Sequence, residues 1–137
     1  MLHVDSFSAA LTEKGRSPLI EQAEEKETRV AESLLVLTSV EKEDEDRGDS
    51  VVELALSEIA KLSGRLKSRR VVIHPFAHLF GDLARPEMAL KILKDLEAGL
   101  SAQGYHVTRT PFGWFHSMEM RVKGHPLSRV ARLIRAT

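Results

Sequence analysis

The chain has 137 residues, is 42% hydrophobic, contains no cysteine, and balances 20 basic against 20 acidic side chains. That length and apolar content suit one domain with a real core and exclude a disordered chain, while the missing cysteines exclude disulfides, thiolate zinc sites and cysteine nucleophiles. The neutral total hides an asymmetry, because residues 1–60 hold 15 acidic and 6 basic residues (−9) and residues 61–137 hold 14 basic and 5 acidic (+9), a distribution that points to an anionic partner unless the fold interleaves the two halves.

The opening residues MLHVDSFSAALTEKG lack a basic segment followed by a long apolar one, so no signal peptide is read there. No run reaches the roughly 18 apolar residues of a membrane helix, and a cytoplasmic location with no membrane partner is expected. Residues 2–12 read as a short hairpin. Residues 13–29 are polar and contain Gly15 and Pro18, which predicts a loop with one helical turn at most. Leu34 to Val40 is a short apolar run of β-formers, a buried strand. The following EKEDEDRGD, Glu41 to Asp49, reads as a charged surface loop.

Asp49 or Ser50 can cap a helix, with Glu53 placed as in a capping box. Val52, Leu56, Ile59, Ala60 and Leu66 continue it at helical spacing to about Lys67. Val71 to His74 is a strand. Pro86 suits a first helical residue, and Met88, Leu90, Ile92, Leu93, Leu96 and Leu100 follow at helical spacing up to Gly104. Strands are predicted at Tyr105–Thr110 and Trp114–Val122, with Pro111-Phe112-Gly113 turning between them. Lys123-Gly124-His125-Pro126 turns the chain again, and Leu127, Val130, Leu133 and Ile134 predict a short C-terminal helix. Strands alternating with helices give an α/β layout: a mixed sheet with two main helices.

His74 and His78 are four apart, the spacing of paired ligands on a helix. Pro75 between them forbids that helix, and no glutamate stands beside His74, so a zinc-protease site is excluded and no metal is expected. In an extended chain His74, Phe76 and His78 share one side.

His74-Pro-Phe-Ala-His-Leu79 does not stand alone. Thr110-Pro-Phe-Gly-Trp-Phe-His116, Lys123-Gly-His-Pro-Leu127 and Ser39-Val-Glu-Lys42 follow the same register as segments of one family. Together they resemble the archaeal threonyl-tRNA synthetase editing domain, an N-terminal module with the D-aminoacyl-tRNA deacylase fold. The resemblance spans nearly the whole chain. It implies a D-aminoacyl-tRNA deacylase-like fold, a mixed β-sheet or partial barrel, with residues 1–137 forming one editing domain that either stands alone or begins a longer synthetase. Two positions depart from the family. A lysine often follows the PFG and its two aromatics, where this chain has His116. Ala-Glu often follows KGHPL, where this chain has Ser128-Arg129.

The implied activity is hydrolysis of serine mischarged onto tRNA(Thr), with a homodimer and a synthetase catalytic domain, in cis or in trans, as partners and no cofactor. The chemistry has a physical reason. Serine lacks one methyl group of threonine, and one missing methylene is worth only about 1–3 kcal/mol in a binding pocket, so a second, hydrolytic site is needed. The resemblance implies that main-chain groups grip the substrate and that the ribose hydroxyl beside the ester assists the attacking water. Expected substrate-binding residues are Val40, Pro75, Phe76, Ala77, His78, Phe112, Gly113 and Phe115, with His78 and His116 nearest the chemistry. Arg121, Lys123, Arg129, Arg132 and Arg135 are expected to meet tRNA phosphates. Two other readings fit the same motifs: a deacylase for D-aminoacyl-tRNA, and a non-catalytic module that grips the acceptor end.

Overall fold

The computed structural model describes residues 1–137 apart from His78, Phe80 and Thr137. Strand β1 (Leu2–Lys14) is the spine. One of its edges pairs antiparallel with β6 (Trp114–Val122) along almost its whole length; the other pairs antiparallel first with β3 (Ser33–Thr38) and then with β2 (Glu27–Val30). Beyond β3 the sheet continues parallel through β4 (Arg70–Pro75) to β5 (His106–Arg109). Helix α1 (Gly48–Leu66) crosses from β3 to β4, and α2 (Pro86–Ala102) crosses from β4 to β5. The two outermost strands, β5 and β6, are consecutive in the chain and joined only by residues 110–113. Four residues span at most about 14 Å, so the sheet curls toward itself as the expected partial barrel requires.

Side-chain alternation divides the sheet into two faces. Leu34, Val36, Val71 and Ile73 face the helices and join Val51, Ile59, Leu62, Ile92, Leu93, Leu96 and Leu100 in the main core. Leu35 and Val72 face the other way, onto Val4, Phe7 and Ala9 of β1, and form a second, smaller core. Strand β4 is buried from Val71 to His74, as a central parallel strand covered on both faces must be. The same alternation sends His74 to the concave side, edge-on to Phe7 at 5.9 Å between ring centroids.

Five expectations are corrected. Residues 2–12 are one strand, not a hairpin: they contain no glycine or proline to turn them, and the register shifts at Val4/Ser6 and Leu11/Glu13 let a long strand bend instead. Glu27–Val30, expected in a loop, forms β2 because β1 extends far enough to pair with it. The acidic run is not an open loop but a 3-10 helix, Lys42–Arg47, whose Asp44 carboxylate accepts the Glu41 N–H at 2.9 Å. Helix α1 follows from Gly48 with no side-chain cap at its start, so Asp49 and Ser50, expected to cap it, lie inside its first turn instead. Finally, Leu127 to Ile134 form no helix. The Val130 N–H donates to Met1 O, the Met1 amine donates to Val130 O, and Leu2 bridges Arg129. Those main-chain groups are committed to the start of β1, while Leu127, Val130 and Ile134 still pack on the main core.

Part of the charge asymmetry is cancelled by ion pairs between the two halves. Lys123 and Arg121 pair with Asp5, Arg132 with Glu58, Arg135 with Glu41 and Glu43, and Arg85 with Glu45. Each pair joins the basic half to the acidic half. No helix among the described residues is long and apolar enough to cross a membrane.

Candidate functional site

The carboxyl ends of β3, β4 and β5 point the same way. In open α/β sheets ligands bind at such ends. Here the segments leaving those strands surround one cavity of about 470 Å³. Thr38, Ser39 and Val40 enter from β3, and His74 to Ala77 from β4. Pro111 to Gly113 enter from the β5–β6 turn, Phe115 and His116 from β6, and Gly15 to Ser17 from the end of β1. Ala84, Pro86, Ala89 and Leu93 supply the α2 side. Of the residues expected to bind substrate, Val40, Pro75, Phe76, Ala77, Phe112, Gly113 and Phe115 all line this cavity, and so does His116. His78 lies outside the described residues.

Main-chain hydrogen bonds fix the rim. The Phe76 N–H donates to Thr38 O at 2.8 Å, Ala84 N–H to Val40 O at 3.0 Å, and Thr110 N–H to Ile73 O at 3.0 Å. The segment after β1 is tied to the Phe112–Gly113 turn more tightly still. Gly15 N–H donates to Gly113 O at 2.8 Å and Glu21 N–H to Phe112 O at 3.0 Å. The Glu21 carboxylate accepts the Phe112 N–H at 3.0 Å, and the Trp114 indole donates to Glu21 O at 2.8 Å. Arg109 locks the arrangement: its guanidinium is bidentate to Glu21, both bonds 2.7 Å, and also donates to Glu97 at 2.9 Å. Arg109 holds the Glu21 carboxyl below its ordinary range, and the two carboxylates hold the guanidinium above its own. Two glycines make this approach possible. A Cβ on Gly15 would lie 2.7 Å from Gly113 O, and Gly113 itself has φ +89° with Leu19 O 2.7 Å from its would-be Cβ.

Two histidines meet in the cavity. His74 is 3% exposed, and its Nδ1 lies 2.8 Å from the buried Thr110 hydroxyl. Burial pushes its pKa down to about 4, helped by the neighbouring His116, so it is uncharged at neutral pH. The two rings sit edge to face at 5.0 Å. Burial also lowers the His116 pKa, opposed by a hydrogen bond from its ring to the Trp114 main chain. Its Nε2 is buried with no partner among the described residues. The Ser39 hydroxyl, also lining the cavity, is likewise buried without a partner. Both atoms belong to residues that line the cavity but are themselves shut off from solvent. No group of three or more metal-ligating side chains suited to an ion occurs among the described residues.

Sequence reasoning missed Thr110 and the Glu21–Arg109 clamp. Glu21 sits in a stretch that reads as featureless polar loop, and its partner lies 88 positions away. The basic residues expected to meet RNA lie elsewhere. Arg121 and Lys123 are at the far end of β6, more than roughly 20 Å along the strand from Trp114 at about 3.3 Å per residue. Arg129 bridges Leu2 at the start of β1, beside the segment carrying Arg132, and Arg135 is held by Glu41 and Glu43.

Comparison with known proteins agrees with the motifs. Residues 1–134 match a family described as the archaea-specific editing domain of threonyl-tRNA synthetase. The threonine–tRNA ligase of Methanosarcina acetivorans is 42% identical over 123 residues, 88% of this chain and 19% of that protein. That of Methanobrevibacter smithii is 40% identical over 125 residues, 90% of this chain and 21% of the ligase. That of Methanocaldococcus jannaschii is 38% identical over 134 residues, 98% of this chain and 22% of the ligase. The chain thus spans about a fifth of the length of these relatives, and it belongs to the archaea-specific editing-domain family of threonyl-tRNA synthetase.

Proposed function

We propose that this domain proofreads threonyl-tRNA synthesis by hydrolysing the ester of L-seryl-tRNA(Thr), with the cavity at the strand ends as the reaction site. One observation carries the reading: residues far apart in the chain, 38–40, 74–77 and 111–116, converge on a single cavity in a member of an editing-domain family. In this reading Val40, Pro75, Phe76, Ala77, Phe112, Gly113 and Phe115 hold the terminal adenosine and its aminoacyl group. His78 and His116 stand beside the ester. The D-aminoacyl-tRNA deacylase-like fold, homodimer formation and a cytoplasmic location belong to the same reading. So does a synthetase catalytic domain, joined in cis or acting in trans.

Hydrolysis adds water oxygen to the ester carbonyl carbon, breaks the bond to the ribose oxygen, and returns a proton to that oxygen. Among the described cavity residues no nucleophile stands with a base and an orienting acid. The ribose hydroxyl adjacent to the ester is placed to relay the proton, and main-chain N–H groups at the loop ends stabilise the oxyanion. His116 accepts a hydrogen bond through Nε2 from a substrate hydroxyl or ammonium. This differs from the lysine often found there in the family, which can only donate.

The test is single-turnover deacylation by the 137-residue chain. Rapid release of serine from seryl-tRNA(Thr), with threonyl-tRNA(Thr) spared, is expected. Equal hydrolysis of both esters would contradict the proposal; preference for D-aminoacyl esters would replace it with the D-specific reading, and tight binding without hydrolysis with the non-catalytic one.

A further inference from the structure

The described lining of the cavity carries one formal charge. Among its described residues there is no aspartate, glutamate or lysine, and the one arginine is Arg16. His74 and His116 do not add to it, since burial keeps both uncharged at neutral pH. Arg16 is exposed at the mouth. Arg109, Arg121, Lys123, Arg132 and Arg135 each have a carboxylate partner, whereas among the described residues no carboxylate pairs with Arg16, nor with Lys14 or Arg129, and of these three Arg16 is the one that lines the cavity.

Its backbone is also held in place. Gly15, the preceding residue, is hydrogen-bonded to Gly113 and lies too close to it for any side chain. The chain beyond Arg16 is anchored by Glu21 to Phe112, Trp114 and Arg109. The root of the Arg16 side chain therefore has a fixed position relative to the turn that lines the cavity, which lowers the ordering cost of a contact made there. A second cation is near: the Lys14 ammonium lies over the Trp114 ring at 5.8 Å from its centroid.

We propose that Arg16 is a phosphate-binding residue that grips the phosphodiester entering the terminal nucleotide, so that the nucleic acid approaches over residues 14–17 rather than along the far end of β6. This rests on the proposed function. A nucleotide whose ester is buried among apolar side chains and neutral histidines carries its only negative charge on its 5′ side, which must stay outside the cavity. A planar guanidinium matches two phosphate oxygens at once.

The experiment compares two substrates differing only in that group: seryl-adenosine, which has no phosphate, and serine on a short oligonucleotide ending in CCA. Arg16→Ala should lower kcat/KM on the oligonucleotide by roughly tenfold or more, the loss expected for a charge-assisted hydrogen bond, and leave seryl-adenosine hydrolysis unchanged. It should also flatten the salt dependence of binding by about 0.7 in the log–log slope, one single-strand contact. Arg16→Lys should recover part of the loss, and Arg121→Ala should behave as wild type on both substrates. Equal losses on both substrates would assign Arg16 a structural role and overturn the proposal; so would no loss on either. Fluorescence anisotropy with an oligonucleotide carrying a non-hydrolysable seryl amide keeps the two readings separable. If the wild-type chain binds it without hydrolysing any ester, the deacylase reading fails, yet Arg16→Ala must still weaken binding for the phosphate contact to stand.

Discussion

Two histidine pairs sit at opposite ends of the β1–β6 ladder, and they are built differently. At the far end, Leu127 N–H donates to His125 Nδ1 at 3.2 Å, His125 Nε2 lies 2.9 Å from His3 Nδ1, and His3 Nε2 lies 2.6 Å from a Glu32 carboxylate oxygen. The first bond makes His125 Nδ1 an acceptor. With neutral rings the remaining tautomers follow: His125 donates to His3, and His3 donates to Glu32. Every ring nitrogen is satisfied, and the chain of bonds ties the start of β1 to the turn after β6 and to the end of β2. At the cavity end, His74 is satisfied by Thr110 on one nitrogen, while Nε2 of His116 has no partner among the described residues. The same residue type forms a closed chain of bonds at one end of the ladder and, among the described residues, leaves a ring nitrogen unpartnered at the other. The first arrangement holds the fold; the second suits a ligand.

Four changes would break or sharpen that contrast. The largest effect is expected from Arg109→Ala, which leaves Glu21 and Glu97 without their shared partner on a side chain that is only 9% exposed. Breaking such a pair costs about 3–5 kcal/mol, measurable by urea denaturation. The Gly15–Glu21 segment should come loose with it, so deacylation should fall as well. A stability loss below about 1 kcal/mol would show that the clamp does not hold the rim.

Acid comes next. The His74 pKa is about 4 in the folded state against 6.5 unfolded, so the unfolded chain binds more protons between those values. Stability should therefore be full above about pH 6.5 and decline as pH falls toward 4, by at most roughly 3 kcal/mol from this residue. His116 is shifted in the same direction. His74→Asn should flatten the profile, and an unchanged profile would remove His74 as its cause. A smaller effect is expected from His3→Ala. It leaves His125 Nε2 without its acceptor and should cost about 1–3 kcal/mol of stability, yet leave deacylation of the folded protein unaltered. Loss of activity in folded His3→Ala would contradict the division between the two ends. The smallest effect is expected from His116→Ala: removal of one acceptor, about 1 kcal/mol, should slow single-turnover hydrolysis less than about tenfold. A general base would contribute on the order of 10²–10⁴, so a thousandfold loss would make His116 that base. Replacing the ribose hydroxyl beside the ester by hydrogen should cost far more.

The contrast also marks what could be read from the sequence. Helices α1 and α2 and strands β3 to β6 were legible because each carries its own periodicity or a run of β-formers, and the cavity was legible because short motifs lie at the ends of those strands. What escaped depends on distant partners. Glu27–Val30 is a strand only because β1 runs long enough to pair with it. Leu127 to Ile134 has helical spacing, but Met1 and Leu2 bind its main chain in an extended form. Glu21 looks like any solvated acid until the fold brings Arg109 to it. Arg121 and Lys123 drew notice as part of a basic half, and only the fold shows that they share one carboxylate, Asp5.

The account's central claim is that the cavity end holds the aminoacyl-adenosine and the far end does not. Chemical-shift mapping with a non-hydrolysable 3′-seryl-amido adenosine tests it most directly. The account predicts perturbed amide signals at Ser39, Val40, Ala77 and Gly113 and a shifted imidazole resonance for His116, with His3, His125 and Arg121 unchanged. Perturbations clustered at His3, His125 and Arg121, with the cavity silent, would contradict it.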